Sequence, residues 1–159
     1  MQGEPAAYAK PFAFLLRLEA KAEGRACHLV SFSYRPQDMH ELPDGATAQE
    51  AAEWAARFVG GGTDWVPPLN RALELLRDPA YARADVVMLT DGICEIPIEK
   101  AEQIRSVLAS REARLFCFLF GEGNSRPLQP LATGIWKTAL DERGILQVLE
   151  AFQSSIGGD

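Results

Sequence analysis

The sequence predicts an α/β protein in which helices cover both faces of a doubly wound, mainly parallel sheet, giving three layers. Apolar residues follow one another without polar alternation at 84–90 and 113–120, which is typical of strands buried on both faces. Segments with helical spacing of apolar residues separate such runs, and this alternation predicts parallel strands joined by crossover helices. A chain of 159 residues suits one such domain, so residues 1–159 are predicted to form a single domain.

The first third of the chain is predicted to hold one helix and two strands. Apolar residues recur at helical spacing over 5–23, where Pro11 either starts the helix proper or kinks it. Gly24 then ends that helix. An apolar run at 26–33 is predicted to be a buried strand of the main sheet, and 39–42 a short edge strand.

The remaining elements follow from capping signals and periodicity. Thr47 resembles an N-cap, and Glu50 completes a capping box for a helix that runs to Phe58. The later elements are predicted as a helix containing Leu69, Leu73 and Leu76, strands at 84–90, 113–120 and 135–139, a helix at 98–110, and a final helix that buries Ile145, Leu149 and Phe152.

Composition excludes several classes of protein. A formal net charge of −6 and the scatter of single Lys and Arg residues argue against a nucleic-acid partner, because phosphate binding needs a basic face. Neither a signal peptide nor an apolar stretch of membrane-spanning length is visible. Cys27, Cys94 and Cys117 lack zinc-site spacing, which indicates reduced, mostly buried thiols. These features together predict a cytoplasmic protein.

Three loops are candidates for a ligand site, because ligands of such sheets bind beyond the carboxyl ends of the strands. They follow Ser33, span 60–64, and begin at Thr90. Thr63 offers a hydroxyl and Asp91 a carboxylate, and this pair of hard oxygen donors suits Mg²⁺, Mn²⁺ or Ca²⁺ better than zinc.

The runs Gly61-Gly62-Thr63-Asp64 and Leu89-Thr90-Asp91-Gly92 carry a resemblance to a known family. With the order of helices and strands, they make essentially the whole chain resemble the von Willebrand factor A (VWA) family, and in particular bacterial stand-alone domains encoded beside MoxR-type AAA+ ATPases. That family holds a metal-ion-dependent adhesion site through a DxSxS loop, a threonine and an aspartate. The resemblance implies Thr63 and Asp91 as ligands of Mg²⁺ or Mn²⁺. It also implies a partner-binding face that includes Gly62, Asp64, Gly92 and Glu95.

The chain departs from the family pattern at its start. The DxSxS loop and the central first strand are absent, and Met1-Gln2-Gly3 with Ala9-Lys10 resembles the continuation of that loop. The metal site is therefore expected to be a remnant, and the strands at 26–33 and 84–90 are expected to lack their shared neighbour. We expect that those strands close up, that another chain donates a strand, or that the gene product starts earlier.

Two classes of function remain open. The leading hypothesis is a protein-interaction module rather than an enzyme, in which the cation takes its last ligand from an acidic side chain of a partner; the resemblance implies an AAA+ ATPase or its client. The alternative is a metal-dependent hydrolase on a Rossmann-like sheet, which would need a base or nucleophile near Thr63 and Asp91. A simpler interpretation of each motif is that Thr63 or Asp64 caps a helix and that Asp91-Gly92 is a turn.

Overall fold

The computed structural model of the protein describes residues 4–57, 62–138 and 142–156. In chain order, these residues form α1 (Glu4–Ala22), β1 (Leu29–Ser31), β2 (His40–Leu42), α2 (Ala48–Ala56), α3 (Val66–Leu75), β3 (Val86–Thr90), α4 (Ile98–Ser110), β4 (Leu115–Phe120), β5 (Gly134–Thr138) and α5 (Glu142–Ile156). Short 3₁₀ helices lie at Pro36–Asp38, Pro79–Tyr81 and Arg126–Leu128. The predicted α/β class is confirmed.

The main sheet has the strand order β3-β4-β5, and both pairings are parallel. Val86 of β3 is level with Leu115 of β4, and Thr90 is level with Leu119. All six residues of β4 are buried, as expected for the middle strand of a sheet covered on both faces. The predictions of parallel strands near 84–90, 113–120 and 135–139 are therefore confirmed, although Ala139 lies outside the described residues.

Helices cover this sheet on both faces, because successive side chains of a strand point to opposite sides. Leu115, Cys117 and Leu119 of β4 pack with buried residues of α3 and α4. The alternate residues of β4 face α1 and α5, where they meet an aromatic cluster. That cluster consists of Phe12, Phe116, Phe118, Phe120 and Phe152, with Trp136 packed against it. The ring centroids of Phe12 and Phe118 are 4.9 Å apart. The three-layer arrangement is thus present around β4.

The prediction that residues 26–33 join the main sheet is wrong. Only Leu29–Ser31 forms a strand there, and it pairs antiparallel with β2 in a separate two-stranded sheet. Within the described residues no strand lies between β1 and β3, so backbone hydrogen bonds cannot connect the two sheets. β1 pairs instead with the neighbour that follows it closely in the chain, and the edge strand predicted at 39–42 is confirmed as that partner.

The small sheet is held against α1 and α2 by side chains. The Arg17 guanidinium of α1 donates to the carbonyl oxygens of Cys27, Pro43 and Asp44 at 2.9, 2.8 and 2.7 Å. The Trp54 indole N–H of α2 donates to the His40 carbonyl at 2.9 Å. The position of β1 and β2 is therefore determined by helix contacts rather than by the main sheet.

Helix boundaries follow the local signals with small differences. The capping box is confirmed, since the Thr47 hydroxyl accepts from Glu50 N–H and the Glu50 carboxylate accepts from Thr47 N–H. Arg57 ends α2, and Phe58 lies outside the described residues. Helix α1 is continuous through Pro11, so that proline neither begins nor ends it. None of the helices described combines the length and hydropathy needed to cross a membrane.

Two other predictions concern buried residues. The burial of Phe152 in the last helix is confirmed, while the side chains of Ile145 and Leu149 lie outside those the structure describes. Cys27, Cys94 and Cys117 are free thiols, as predicted. Cys117 is the most buried of them, and burial raises the pKa of its thiol to about 12.

Candidate functional site

Thr90, the last residue of β3, organises the loops at the carboxyl end of that strand. Its side chain is buried, and its hydroxyl oxygen accepts a hydrogen bond from the Trp65 indole N–H at 3.1 Å. The same oxygen accepts from the Gly92 backbone N–H at 3.2 Å. Since Trp65 immediately precedes α3 and is itself fully buried, this hydroxyl joins the segment that contains Thr63 to the loop that contains Asp91.

Asp91 and Gly92 form a tight turn after β3. One Asp91 carboxylate oxygen accepts from the Ile93 backbone N–H at 3.2 Å, and Gly92 has a φ of 73°. A Cβ on Gly92 would lie 2.9 Å from the Leu119 side chain and 3.0 Å from the Asn124 backbone nitrogen. The turn interpretation of this dipeptide is therefore confirmed. The half-buried Asp91 carboxylate lies in that turn.

The segment before α3 holds the other predicted residues. Asp64 accepts from the Val66 backbone N–H at 2.9 Å. The N-cap of α3 is Trp65, which has no side-chain cap hydrogen bond, so the interpretation that Thr63 or Asp64 is the N-cap is wrong. Thr63 is half-buried beside Asp64, and Gly62 is exposed with a φ of 116°. A Cβ on Gly62 would lie 3.5 Å from the Tyr34 ring, so the first and second candidate loops touch at this point.

Cys94 lies between the two acidic loops, although the sequence analysis gave it no role there. Burial raises the pKa of its thiol, a hydrogen bond with the Trp65 backbone acts in the opposite direction, and the charges of Asp64 and Asp91 add to the rise. The structure brings Asp64 and Asp91 to the same end of β3, as the parallel topology predicted. Glu95, the next residue along, is exposed.

The loop after β4 packs directly against this turn. The Asn124 N–H donates to the Gly92 carbonyl at 3.3 Å, and a Cβ on Gly123 would lie 1.7 Å from the Asp91 carbonyl oxygen. Any side chain at Gly123 would therefore displace the backbone of Asp91. The sequence shows a glycine-rich turn after β4, but it does not show that Gly123 abuts Asp91.

In the remaining candidate loop, which follows Ser33, the Ser33 hydroxyl makes its hydrogen bonds within the loop itself. The Ser33 side chain is buried, donates to an Asp38 carboxylate oxygen at 3.1 Å and accepts from the Arg35 N–H at 3.1 Å. Near it, Tyr34 is 44% exposed. On the other side of the site, Ile93 and Ile98 are 72% and 73% exposed. These large apolar side chains border the acidic loops.

The oxygen donors at this end of the sheet are of the type that Mg²⁺ prefers, but they are few. Across residues 4–57, 62–138 and 142–156, no three His, Cys, Asp or Glu side chains are grouped so that they could hold a metal ion. Octahedral Mg²⁺ takes six oxygen ligands. Thr63 and Asp91 therefore do not fit a complete metal site on their own, and any such site needs donors from elsewhere.

Comparison with known proteins identifies relatives but no family, because no family model matches the chain. The chain is 30% identical over 98 residues to an uncharacterized protein of Methanocaldococcus jannaschii, which covers 60% of this chain and 22% of that protein. It is 25% identical over 130 residues to the regulatory protein ViaA of Proteus mirabilis, covering 81% of this chain and 27% of the relative. ViaA of Edwardsiella ictaluri is 27% identical over 108 residues, covering 68% and 22%. The chain spans about a quarter of the length of these curated relatives.

Proposed function

We propose that this chain is a protein-interaction module of a regulatory protein, that it is a VWA-type domain, and that the loops at the carboxyl end of β3 form its partner-binding face. The observation that carries the proposal is the double hydrogen bond to the Thr90 hydroxyl, which holds the Thr63-Asp64 segment beside the Asp91-Gly92 turn. The similarity to proteins named ViaA, which are described as regulatory, supports the same role.

The surface chemistry of this face suits a protein partner. Ile93 and Glu95 in the loop after β3 and Ile98 at the start of α4 are exposed, so this part of the chain offers both apolar and acidic groups to a partner. Gly62 is exposed and leaves the backbone accessible at the edge of this face, whereas Gly92 is buried beneath it.

A divalent cation is part of the proposal. Thr63 and Asp91 would supply two oxygen donors to Mg²⁺ or Mn²⁺, and the remaining donors would come from a loop of DxSxS type and from an acidic side chain of the partner. Asp64 already accepts from Val66 N–H, which gives it a positioning role in this arrangement. In a chain with a net charge of −6, the cation would supply the positive field that attracts an acidic partner.

The partner that we propose is a MoxR-type AAA+ ATPase, on the strength of the resemblance stated for Gly61–Asp64 and Leu89–Gly92. The alternative of a metal-dependent hydrolase has no comparable support. Among the described residues, no group of three or more His, Cys, Asp or Glu side chains could hold the metal ion that such a hydrolase needs.

The test is binding of the purified chain to a MoxR-type ATPase from the same organism. Calorimetry measures this binding once with about 5 mM Mg²⁺ and once with a chelator. We expect Asp91→Ala and Thr63→Ala to weaken binding at least about tenfold, a change of about 1.4 kcal/mol. Chelation should weaken binding similarly for a chain extended before Met1 by a DxSxS loop, which supplies the further donors that the proposed cation needs. Glu99→Ala, on an exposed residue of α4, is the matched control and should have no effect. Binding that is unaffected by both site variants would refute the proposed face.

A further inference from the structure

Tyr34 and Arg35, in the loop after β1, form an exposed pair of an aromatic ring and a cation. Tyr34 is 44% exposed, and Arg35 is exposed as well. The Arg35 Nε–H donates to the Tyr34 hydroxyl oxygen at 2.5 Å, and the guanidinium carbon lies 5.0 Å from the centroid of the Tyr34 ring. Because the ring face attracts the cation, the two side chains restrict each other to one arrangement.

The backbone that carries this pair is fixed from beneath by Ser33. The buried Ser33 hydroxyl accepts from the Arg35 backbone N–H at 3.1 Å and donates to an Asp38 carboxylate oxygen at 3.1 Å. Ordering long side chains is one of the main costs of forming an interface. Since Arg35 is already restricted by the turn and by the Tyr34 ring, a partner that binds it meets less of that cost.

The pair adjoins the proposed partner-binding face. A Cβ on Gly62 would lie 3.5 Å from Cδ1 of the Tyr34 ring, so ring and glycine are in contact. Gly62 immediately precedes Thr63, in the segment that the hydrogen bond from Trp65 to Thr90 holds in place. The loop after β1 therefore extends this face by one aromatic side chain and one positive charge.

Both side chains have hydrogen-bond donors left over. A guanidinium carries five N–H groups, and Arg35 uses the one on Nε for Tyr34. The Tyr34 hydroxyl oxygen accepts that bond, which leaves its own O–H proton to donate. Among the described residues no carboxylate forms an ion pair with Arg35, and Asp38, whose charge acts on it, accepts from Ser33. N–H and O–H donors thus lie together at one exposed point.

We infer that Tyr34 and Arg35 bind the carboxylate of an Asp or Glu side chain of the protein partner. The guanidinium and the hydroxyl donate to its oxygens, and charge-assisted hydrogen bonds of this kind are stronger than neutral ones. Charge complementarity selects the occupant. The chain has a net charge of −6, and Asp64, Asp91 and Glu95 make the neighbouring loops acidic, so Arg35 supplies the attraction that an acidic partner needs.

This inference rests on the proposed function and deepens it, because it names a second contact for an acidic partner that requires no metal ion. Tyrosine and arginine are also among the residue types that contribute most to binding at protein interfaces. The pair is therefore expected to matter for affinity and not only for the shape of the face.

Calorimetry with the MoxR-type ATPase from the same organism tests the pair. We expect Arg35→Ala to weaken binding about tenfold and Arg35→Glu to weaken it further, because charge reversal adds repulsion. Tyr34→Phe keeps the ring but removes the hydroxyl, and should weaken binding about threefold. The matched control is Arg111→Glu, the same charge reversal at an exposed residue near the opposite end of the main sheet, which should have no effect.

Metal dependence separates this contact from the site at Asp91. The loss caused by Arg35→Ala should be the same with about 5 mM Mg²⁺ and with a chelator, because a guanidinium binds a carboxylate without a cation. A loss that occurs only with Mg²⁺ would assign Arg35 to the metal site and overturn the inference.

Arg35→Lys identifies the chemical group of the partner. This variant keeps the positive charge and adds an amine, which a carbodiimide joins to a carboxylate in contact with it, forming an amide while the carbodiimide takes up the water as a urea. Peptide mass spectrometry should find that amide between position 35 and an Asp or Glu of the ATPase. A bound complex without such a link would overturn the assignment of a carboxylate.

Hydrogen exchange provides a measurement that needs no variant. The ATPase should slow exchange of the Tyr34 and Arg35 backbone amides of the unaltered chain, and unchanged exchange there would contradict the contact. Binding that is weakened by Asp91→Ala but not by Arg35→Glu would overturn this inference alone. Binding that is weakened by Arg35→Glu but by neither Asp91→Ala nor Thr63→Ala would support the carboxylate contact and refute the metal-centred face. Absence of binding by the unaltered chain would refute both.

Discussion

At the scale of single residues, Thr90 determines the geometry of the candidate site, although the sequence made it the end of a strand and the start of a candidate loop without giving it a ligand role. Its buried hydroxyl accepts from both the Trp65 indole and the Gly92 backbone. Thr63 and Asp91, the residues with the more obvious chemistry, depend on this contact for their relative placement. A buried N–H that loses its acceptor is costly, so the contact also contributes to stability.

Thr90→Val tests this contact because it removes the hydroxyl while nearly keeping the shape of the side chain. We expect the free energy of unfolding to fall by about 1–3 kcal/mol, since the Trp65 indole N–H and the Gly92 N–H lose their acceptor. Urea denaturation, monitored by tryptophan fluorescence, measures this change in the free energy of unfolding. The matched control is Thr133→Val at an exposed side chain, for which a change within about 0.5 kcal/mol is expected. Equal stability of both variants would mean that the Thr90 hydroxyl is dispensable.

At the scale of elements, the sequence predicted local features correctly and strand pairing less well. The capping box at Thr47 and Glu50 was identified correctly, because its two hydrogen bonds join residues three apart in the chain. Strand β1 was predicted in the wrong sheet and with eight residues instead of three, because apolar character shows that a strand is buried without showing which strand it pairs with.

Thr47→Ala removes one half of the capping box. The Glu50 N–H then loses its side-chain acceptor, and the free energy of unfolding should fall by about 1 kcal/mol. Thr47→Ser keeps the hydroxyl and should stay close to the unaltered chain. Chemical denaturation of the three proteins gives the comparison. A loss of the same size in the serine variant would assign the effect to the threonine methyl group rather than to the cap.

At the scale of the whole molecule, the separation of β1 from β3 and the small number of oxygen ligands at the end of β3 have one common explanation. The chain has two covered sheets that no hydrogen-bonded strand joins among the described residues. In the same region, Asp91 belongs to no group of three His, Cys, Asp or Glu side chains among the described residues, so Thr63 and Asp91 lack further protein ligands for a metal ion. Additional polypeptide between the sheets would bring both strand pairing and further oxygen ligands to one place.

Metal titration tests this connection. We expect the chain alone to bind Mg²⁺ or Mn²⁺ with a dissociation constant weaker than about 1 mM, because two protein oxygens rarely hold a hard cation. A version extended before Met1 by an apolar strand and a DxSxS loop should bind at least about tenfold more tightly. Asp91→Ala should abolish that gain. Equal affinity of the short and extended forms in titration calorimetry would exclude Thr63 and Asp91 from the site.

The sequence by itself determined the order of the elements, the parallel arrangement of the strands near 84–90, 113–120 and 135–139, and the end of the sheet at which Thr63 and Asp91 lie. Periodicity, capping and the direction of parallel strands are properties of residues close together in the chain, which explains that success. Only the tertiary structure decided that β1 pairs with β2, that Trp65 binds Thr90, and that Gly123 abuts Asp91. The last two contacts join residues 25 or more positions apart. All three depend on which surfaces meet once the helices have packed, and no local pattern records that outcome.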